Sequence, residues 1–226
     1  MVKFDNVSKS FGETTALDKV SFEIDKGEFV FIIGPSGAGK TTLIKLLLKQ
    51  IQPTEGIIEV DNQDIAQIRK KKIAEYRRKV GVVFQDFKLL SDRTAFENVA
   101  LALRILSEKE EVISEKVENI LDLVGLKEKR DSFPSQLAGG ELQRTCLARA
   151  IVGDPEIIIA DEPTGNLDIG IARQIVDLLK KINETGKIVI MATHNFEIVN
   201  ALSQRVLELE KGKLVSDKKK GKYHLS

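Results

Sequence analysis

Apolar residues follow several rhythms along the chain. Near the N-terminus Val20, Phe22 and Ile24 alternate strictly with polar neighbours, and Val2, Phe4 and Val7 stand at compatible spacings. Segments of this kind bury one face, so they predict the strands of an antiparallel β-layer. Gly56-Ile-Ile-Glu-Val60 reads as another short strand, closed by the turn signal Asp61-Asn62. Four unbroken apolar runs, at 29–33, 80–84, 157–160 and 188–191, have no polar side. That pattern belongs to strands covered on both faces, and the four together predict a mostly parallel central sheet.

Between residues 87 and 153 the period becomes helical. Thr94-x-x-Glu97 is a capping-box signature that opens a face of Phe96, Val99, Ala100 and Leu103. Ser107-x-x-Glu110 predicts a second cap ahead of Val117, Ile120, Leu121 and Val124, with Gly125 as the stop. A further helix, from about 141 to 152, stops at Gly153-Asp154-Pro155. The expected fold class is therefore α/β: one domain whose core spans 1–86 and 154–216, with a helical subdomain inserted at 87–153 and a basic tail at 217–226. No internal repeat is visible.

Composition narrows the function classes. At 226 residues the chain is long enough for one large domain with a full core, and its 42% hydrophobic and 31% charged residues are those of an ordinary globular protein. Basic residues number 35 against 34 acidic, so global charge argues against nucleic acid as the main partner. The one cysteine, Cys146, excludes an internal disulfide and fits a reducing compartment. No signal peptide and no apolar run long enough to span a bilayer is present. The basic cluster Arg69-Lys-Lys-Lys72 with Arg77-Arg-Lys79, like the lysine-rich tail, reads either as a solvated face or as a contact with anionic headgroups or nucleic acid.

The most specific chemistry lies directly after the apolar run 29–33. Gly34-Pro35-Ser36-Gly37-Ala38-Gly39-Lys40-Thr41 is a complete G-x-x-x-x-G-K-[ST] loop, followed by Thr42 and a predicted helix over 40–50. Backbone N–H groups of such a loop cradle a triphosphate, Lys40 reaches its terminal phosphates and the Thr41 hydroxyl ligates Mg²⁺. Downstream, the strand 157–160 ends in Asp161-Glu162. Paired carboxylates there suit two roles: Asp161 on the metal side and Glu162 as the base that activates water. Leu137-Ala138-Gly139-Gly140-Glu141 opens a helix and so offers a second anion site.

In order and spacing, the phosphate loop, this Gly-Gly element, Asp161-Glu162-Pro-Thr-Gly-Asn-Leu-Asp168 and Thr193-His194 resemble the ATP-binding cassette (ABC) ATPases over essentially the whole chain. The resemblance implies a RecA-like phosphate-loop core with an N-terminal antiparallel β-subdomain and an inserted α-helical subdomain. It implies ATP hydrolysis with Mg²⁺, a membrane-protein partner and a homodimer that sandwiches two nucleotides. By the same resemblance Phe11 stacks on adenine, Gln85 touches Mg²⁺ and the attacking water, and His194 contacts the γ-phosphate. Asp168 belongs to the loop crossing the dimer interface, and Ala138, Gly139, Gly140 and Glu141 close on the partner copy's ATP.

One position departs from the family pattern. Serine is usual where Ala138 stands, and loss of its hydrogen bond to the γ-phosphate costs roughly 1.5–3 kcal/mol of closure per site. Slow turnover or weak closure follows. Within the family, residues 83–90, 160–168 and 191–195 resemble the bacterial cell-division (FtsE-type) cassettes. That implies the partner FtsX or a similar permease, docked beside Gln85 and Phe87, Lys88, Leu89 and Leu90, and a place on the cytoplasmic face of the membrane. The alternatives are a lipoprotein-release or macrolide-export cassette, and a module in which ATP only scaffolds division proteins. Repair and translation ABC proteins carry coiled-coil insertions or fused cassettes that this chain lacks.

Overall fold

The computed structural model describes residues 1–165 and 167–219. In chain order the strands and helices are β1 (Val2–Phe11), β2 (Thr14–Ile24), β3 (Phe29–Ile33), α1 (Lys40–Leu47), β4 (Glu55–Val60), β5 (Gln63–Asp64), α2 (Ile73–Arg78), β6 (Val80–Val83), α3 (Ala95–Ile105), α4 (Glu110–Leu123), α5 (Gly139–Ile151), β7 (Ile157–Asp161), α6 (Ile169–Asn183), β8 (Ile188–Ala192), α7 (Phe196–Leu202), β9 (Arg205–Glu210) and β10 (Lys213–Lys218).

Two sheets result. The alternating segments form an antiparallel layer in the order β2-β1-β4-β5, with Val2 opposite Ile24, Phe4 opposite Phe22 and Val7 opposite Val20. The Phe4 and Phe22 rings stack at 4.6 Å on its buried face. The continuous apolar runs form a sheet ordered β10-β9-β3-β8-β7-β6, parallel except for the β9–β10 hairpin at its edge. Every residue of β3 and β8 is buried, which is why neither shows a polar face in the sequence. One apolar cluster joins the antiparallel layer to α1 and one side of the parallel sheet, a second lies between the other side and α5–α7, and a third packs α3, α4 and α5. This topology brings the C-terminal ends of β3, β6, β7 and β8 to one rim, where ligands bind in open α/β sheets.

The structure corrects several boundaries. Helix α1 stops at Leu47 rather than at 50, because Lys49 turns left-handed at φ 49°. The N–H of Lys49 donates to Leu46 O and that of Gln50 to Lys45 O, a Schellman ending with lysine where glycine is usual. The Lys49 ammonium is in turn caged by the carbonyls of Ile65 and Ala66 at 2.6 and 3.1 Å and of Ile68 at 2.5 Å, contacts that offset the left-handed strain.

Ser107 does not cap α4. It is left-handed at φ 59°, and the N–H groups of Ser107 and Glu108 donate to Arg104 and Leu103, so it ends α3 in the same motif. Helix α4 begins after Lys109, and Arg104 grips Glu110 through two hydrogen bonds of 3.0 and 3.2 Å. The capping box at Thr94 forms as read. Strand β6 ends at Val83 rather than at 84, and α5 opens at Gly139, two residues before the expected start. Strands β9 and β10 carry charges on half of their positions and show no clear alternation. Of the basic tail at 217–226, residues 220–226 lie outside the described residues.

Candidate nucleotide site

The loop after β3 is shaped by glycines that no other residue could replace without movement. Gly34 sits at φ 145°, and a Cβ there would lie 2.2 Å from Leu209 O; at Gly39, φ 109°, a Cβ would lie 2.7 Å from Ala16 O. Helix α1 starts directly after Gly39, with no side chain capping it and no acid in its first turn. Its leading N–H groups and dipole therefore face the loop as an anion site. The Lys40 ammonium folds back onto the loop, donating to Gly34 O at 2.6 Å and Pro35 O at 3.2 Å. These are contacts to neutral carbonyls, which a phosphate would outcompete.

Three neighbouring strand ends complete the site. Glu162 follows β7 and holds φ 48°, a left-handed conformation uncommon for a non-glycine residue. Its N–H donates to Ala192 O at 2.9 Å, so the strain is fixed by the end of β8. The side chain is only 12% exposed, and its two oxygens meet His194: Oε1 lies 2.9 Å from Nδ1, and Oε2 accepts the His194 N–H at 3.3 Å. His194 itself is 66% exposed. Gln85 stands just beyond β6, where Gly165 leaves room for its amide.

Burial, then repulsion from Glu162, pushes the Asp161 carboxyl above its ordinary pKa, while Lys40 and Lys45 pull the other way. A carboxyl whose pKa is raised on folding favours the fold only while protonated, and that contribution is lost as pH rises through the raised value. Charged Asp161 therefore destabilises the nucleotide-free protein at neutral pH. Asp161→Asn is expected to melt at a higher temperature than the parent at pH 7, with the gap closing as pH falls towards the ordinary aspartate value of about 4. Thermal denaturation across pH, without nucleotide, checks this; a lower melting temperature at pH 7 would contradict it.

A cavity of about 550 Å³ gathers Ser36, Gly37, Ala38, Gly39, Lys40, Thr41, Thr42, Gln85, Asp161, Glu162 and His194. Its size is that of a small-molecule site. Gly34 and Pro35 lie outside this lining and serve through their carbonyls. Ala16 also lines the cavity, although its sequence context carries no motif; only the packing of β2 against the loop places it there.

The remaining candidates stand apart from this cavity. Phe11 is 51% exposed at the tip of β1, with the Lys9 ammonium 5.0 Å from its ring centroid. Ala138 occupies the N-cap of α5; Glu141 Oε2 accepts its N–H at 2.9 Å, but alanine offers no oxygen in return. Gly140 lets α5 approach α6 so closely that a Cβ would lie 2.6 Å from Ile171. Asp168 caps α6 through the Ile171 N–H at 3.0 Å.

Against known proteins, the family model described as ABC transporter matches residues 17–165, well over half of the chain. The chain belongs to the ABC transporter family. The cell division ATP-binding protein FtsE of Bacillus subtilis is 48% identical over 99% of this chain and 98% of its own length. The FtsE of Streptococcus pneumoniae is 48% identical over 97% and 95%. Among solved structures, the ATP-binding cassette MJ0796, in a dimeric post-hydrolysis state bound to ADP and Pi, matches with a TM-score of 0.89 at 36% identity, covering 99% of this chain and 100% of that one. This family member is thus an ATP-binding ATPase with the cassette fold. Among the described residues no helix is long and apolar enough to cross a membrane.

Proposed function

We propose that the chain is the ATP-hydrolysing subunit of a bacterial cell-division complex, acting on the cytoplasmic face of the membrane through a permease-like partner of the FtsX type. The observation that supports this reading is 48% identity over nearly the full length to proteins named for cell division, joined to a cavity lined by Lys40, Thr41, Gln85, Asp161, Glu162 and His194.

In this reading the loop 34–42 cradles the phosphates and Lys40 leaves its carbonyls for them. Hard oxygen donors suited to Mg²⁺ converge on the cavity: the Thr41 hydroxyl, the Gln85 amide and the Asp161 carboxylate. When bound there, Mg²⁺ would supply charge neutralisation on the terminal phosphates. Glu162 takes the proton of the attacking water, and His194 orients that carboxylate while reaching the γ-phosphate. Phe11 stacks on adenine. A second copy of the chain completes the site with Ala138, Gly139, Gly140 and Glu141, and Asp168 lies in the loop between copies. Residues 1–86 and 154–216 form the core of the cassette, and 87–153 the subdomain that carries the closing element.

The test is capture of membrane partners. Tagged Glu162→Gln chain, incubated with ATP and Mg²⁺ and detergent-solubilised membranes of the organism that encodes it, is expected to retain an FtsX-like protein identifiable by mass spectrometry. Retention of a lipoprotein-release or macrolide-export permease instead would move the function to transport.

A further inference from the structure

The loop between β6 and α3 carries Gln85 at its start, and its conformation is unusual. Phe87 and Lys88 are consecutive left-handed residues, at φ 60° and 51°, and neither is glycine. Two such residues in a row persist only where the surroundings over-determine them. The restraint comes from α5, the helix that the Ala138-Gly139-Gly140 element opens. Arg149 Nη1 donates to Lys88 O at 2.5 Å and Nη2 to Phe87 O at 2.8 Å, and the Cys146 thiol donates to Phe87 O at 3.1 Å.

Arg149 is set apart from an ordinary surface arginine. Its guanidinium donates to backbone carbonyls, and burial lowers its pKa. A planar guanidinium with two parallel donors suits two adjacent carbonyls, whereas an ammonium presents a single point charge. At the far end of the loop, buried Asn98 of α3 accepts the Leu90 N–H and donates to Leu90, Arg93 and Thr94 carbonyls. Side chains of the helical layer therefore grip both ends of the segment that follows Gln85.

We propose that Arg149 is a positioning residue for catalysis: by locking the left-handed pair Phe87-Lys88 to α5, it sets where Gln85 stands in the nucleotide cavity. The inference rests on the ATPase site described above and on Gln85 acting in it. It also makes α5 the rigid link between the closing element at its N-terminus and Gln85. A residue eight positions beyond Glu141, the last residue of the closing element, need not touch nucleotide to do this; it acts only through the loop.

A double-mutant cycle in the full chain separates this role from general support of the fold. Gln85→Ala, Arg149→Ala and the double variant are compared in kcat and KM for ATP hydrolysis, with ATP affinity measured by binding and folding by thermal melting. Arg149→Ala is expected to lower kcat about tenfold or more with KM and ATP affinity little changed, the signature of an interaction expressed in the transition state. In the Gln85→Ala background it should have almost no further effect, and Arg149→Lys should recover part of the loss. Multiplicative losses in the double variant, or a fall in ATP affinity parallel to kcat, would overturn the proposal. If Gln85→Ala leaves kcat unchanged while Glu162→Gln abolishes it, the inference fails and the ATPase site stands; if Glu162→Gln is also unaffected, the site reading itself fails.

Discussion

Glu162→Gln is expected to lower ATP turnover by about 10²–10⁴-fold, the range for loss of a positioned general base, while ATP still binds. The geometry supports so large an effect. The carboxylate is nearly enclosed, its backbone is held left-handed by Ala192 O, and both oxygens are oriented by His194. Its rotational freedom is spent before substrate arrives, so the proton acceptor needs no reorganisation at the moment of reaction. Glutamine keeps nearly the same volume and one acceptor oxygen, and the loop 34–42 is untouched. The variant should therefore fold, retain ATP affinity within a few-fold and accumulate as an ATP-bound dimer to a greater extent than the parent. Single-turnover phosphate release and size-exclusion chromatography with and without ATP check the two parts. Residual turnover within tenfold of the parent would remove Glu162 from the role of base.

How much of this could be read from sequence depended on whether a feature was local. The loop 34–41 was legible because its chemistry needs a contiguous strand, turn and helix, and the strand β3 was read to its exact residues because burial on both faces leaves an unbroken apolar run. Thr94 was legible for the same reason, since a capping box closes over four residues. Ser107 misled because its spacing to Glu110 imitates such a box, while the backbone bonds of Ser107 and Glu108 to the end of α3 are decided by how α3 and α4 pack. Strands β9 and β10 escaped because their charges are tied down by tertiary partners. Arg205, for example, pairs with both Glu28 and Asp217 across the sheet. Ala16 and Arg149 were invisible for a related reason: each acts on residues of a distant segment, and neither stands in a motif.

The departure at Ala138 leads to the second large expectation. Ala138 is the N-cap of α5, and half of a capping box already exists there, because Glu141 accepts the Ala138 N–H. A serine hydroxyl at this position has two separable uses. Its oxygen accepts a first-turn N–H and completes the box, worth about 0.5–2 kcal/mol of stability. Its hydrogen remains free to donate across the dimer to a γ-phosphate, since one hydroxyl serves as acceptor and donor at once. A hydrogen bond to a charged group contributes roughly 1.5–3 kcal/mol, which is about 10–150-fold in the closure equilibrium at each site. Ala138→Ser should therefore raise the melting temperature of the nucleotide-free chain and, independently, shift ATP-dependent dimerisation to lower protein concentration. Sedimentation of the Glu162→Gln background with and without Ala138→Ser reads the second effect without interference from hydrolysis. A higher melting temperature with unchanged dimerisation would mean that the hydroxyl caps α5 alone. Closure would then rest on the backbone donors of Gly139 and Gly140, and alanine at this position would cost the assembly nothing.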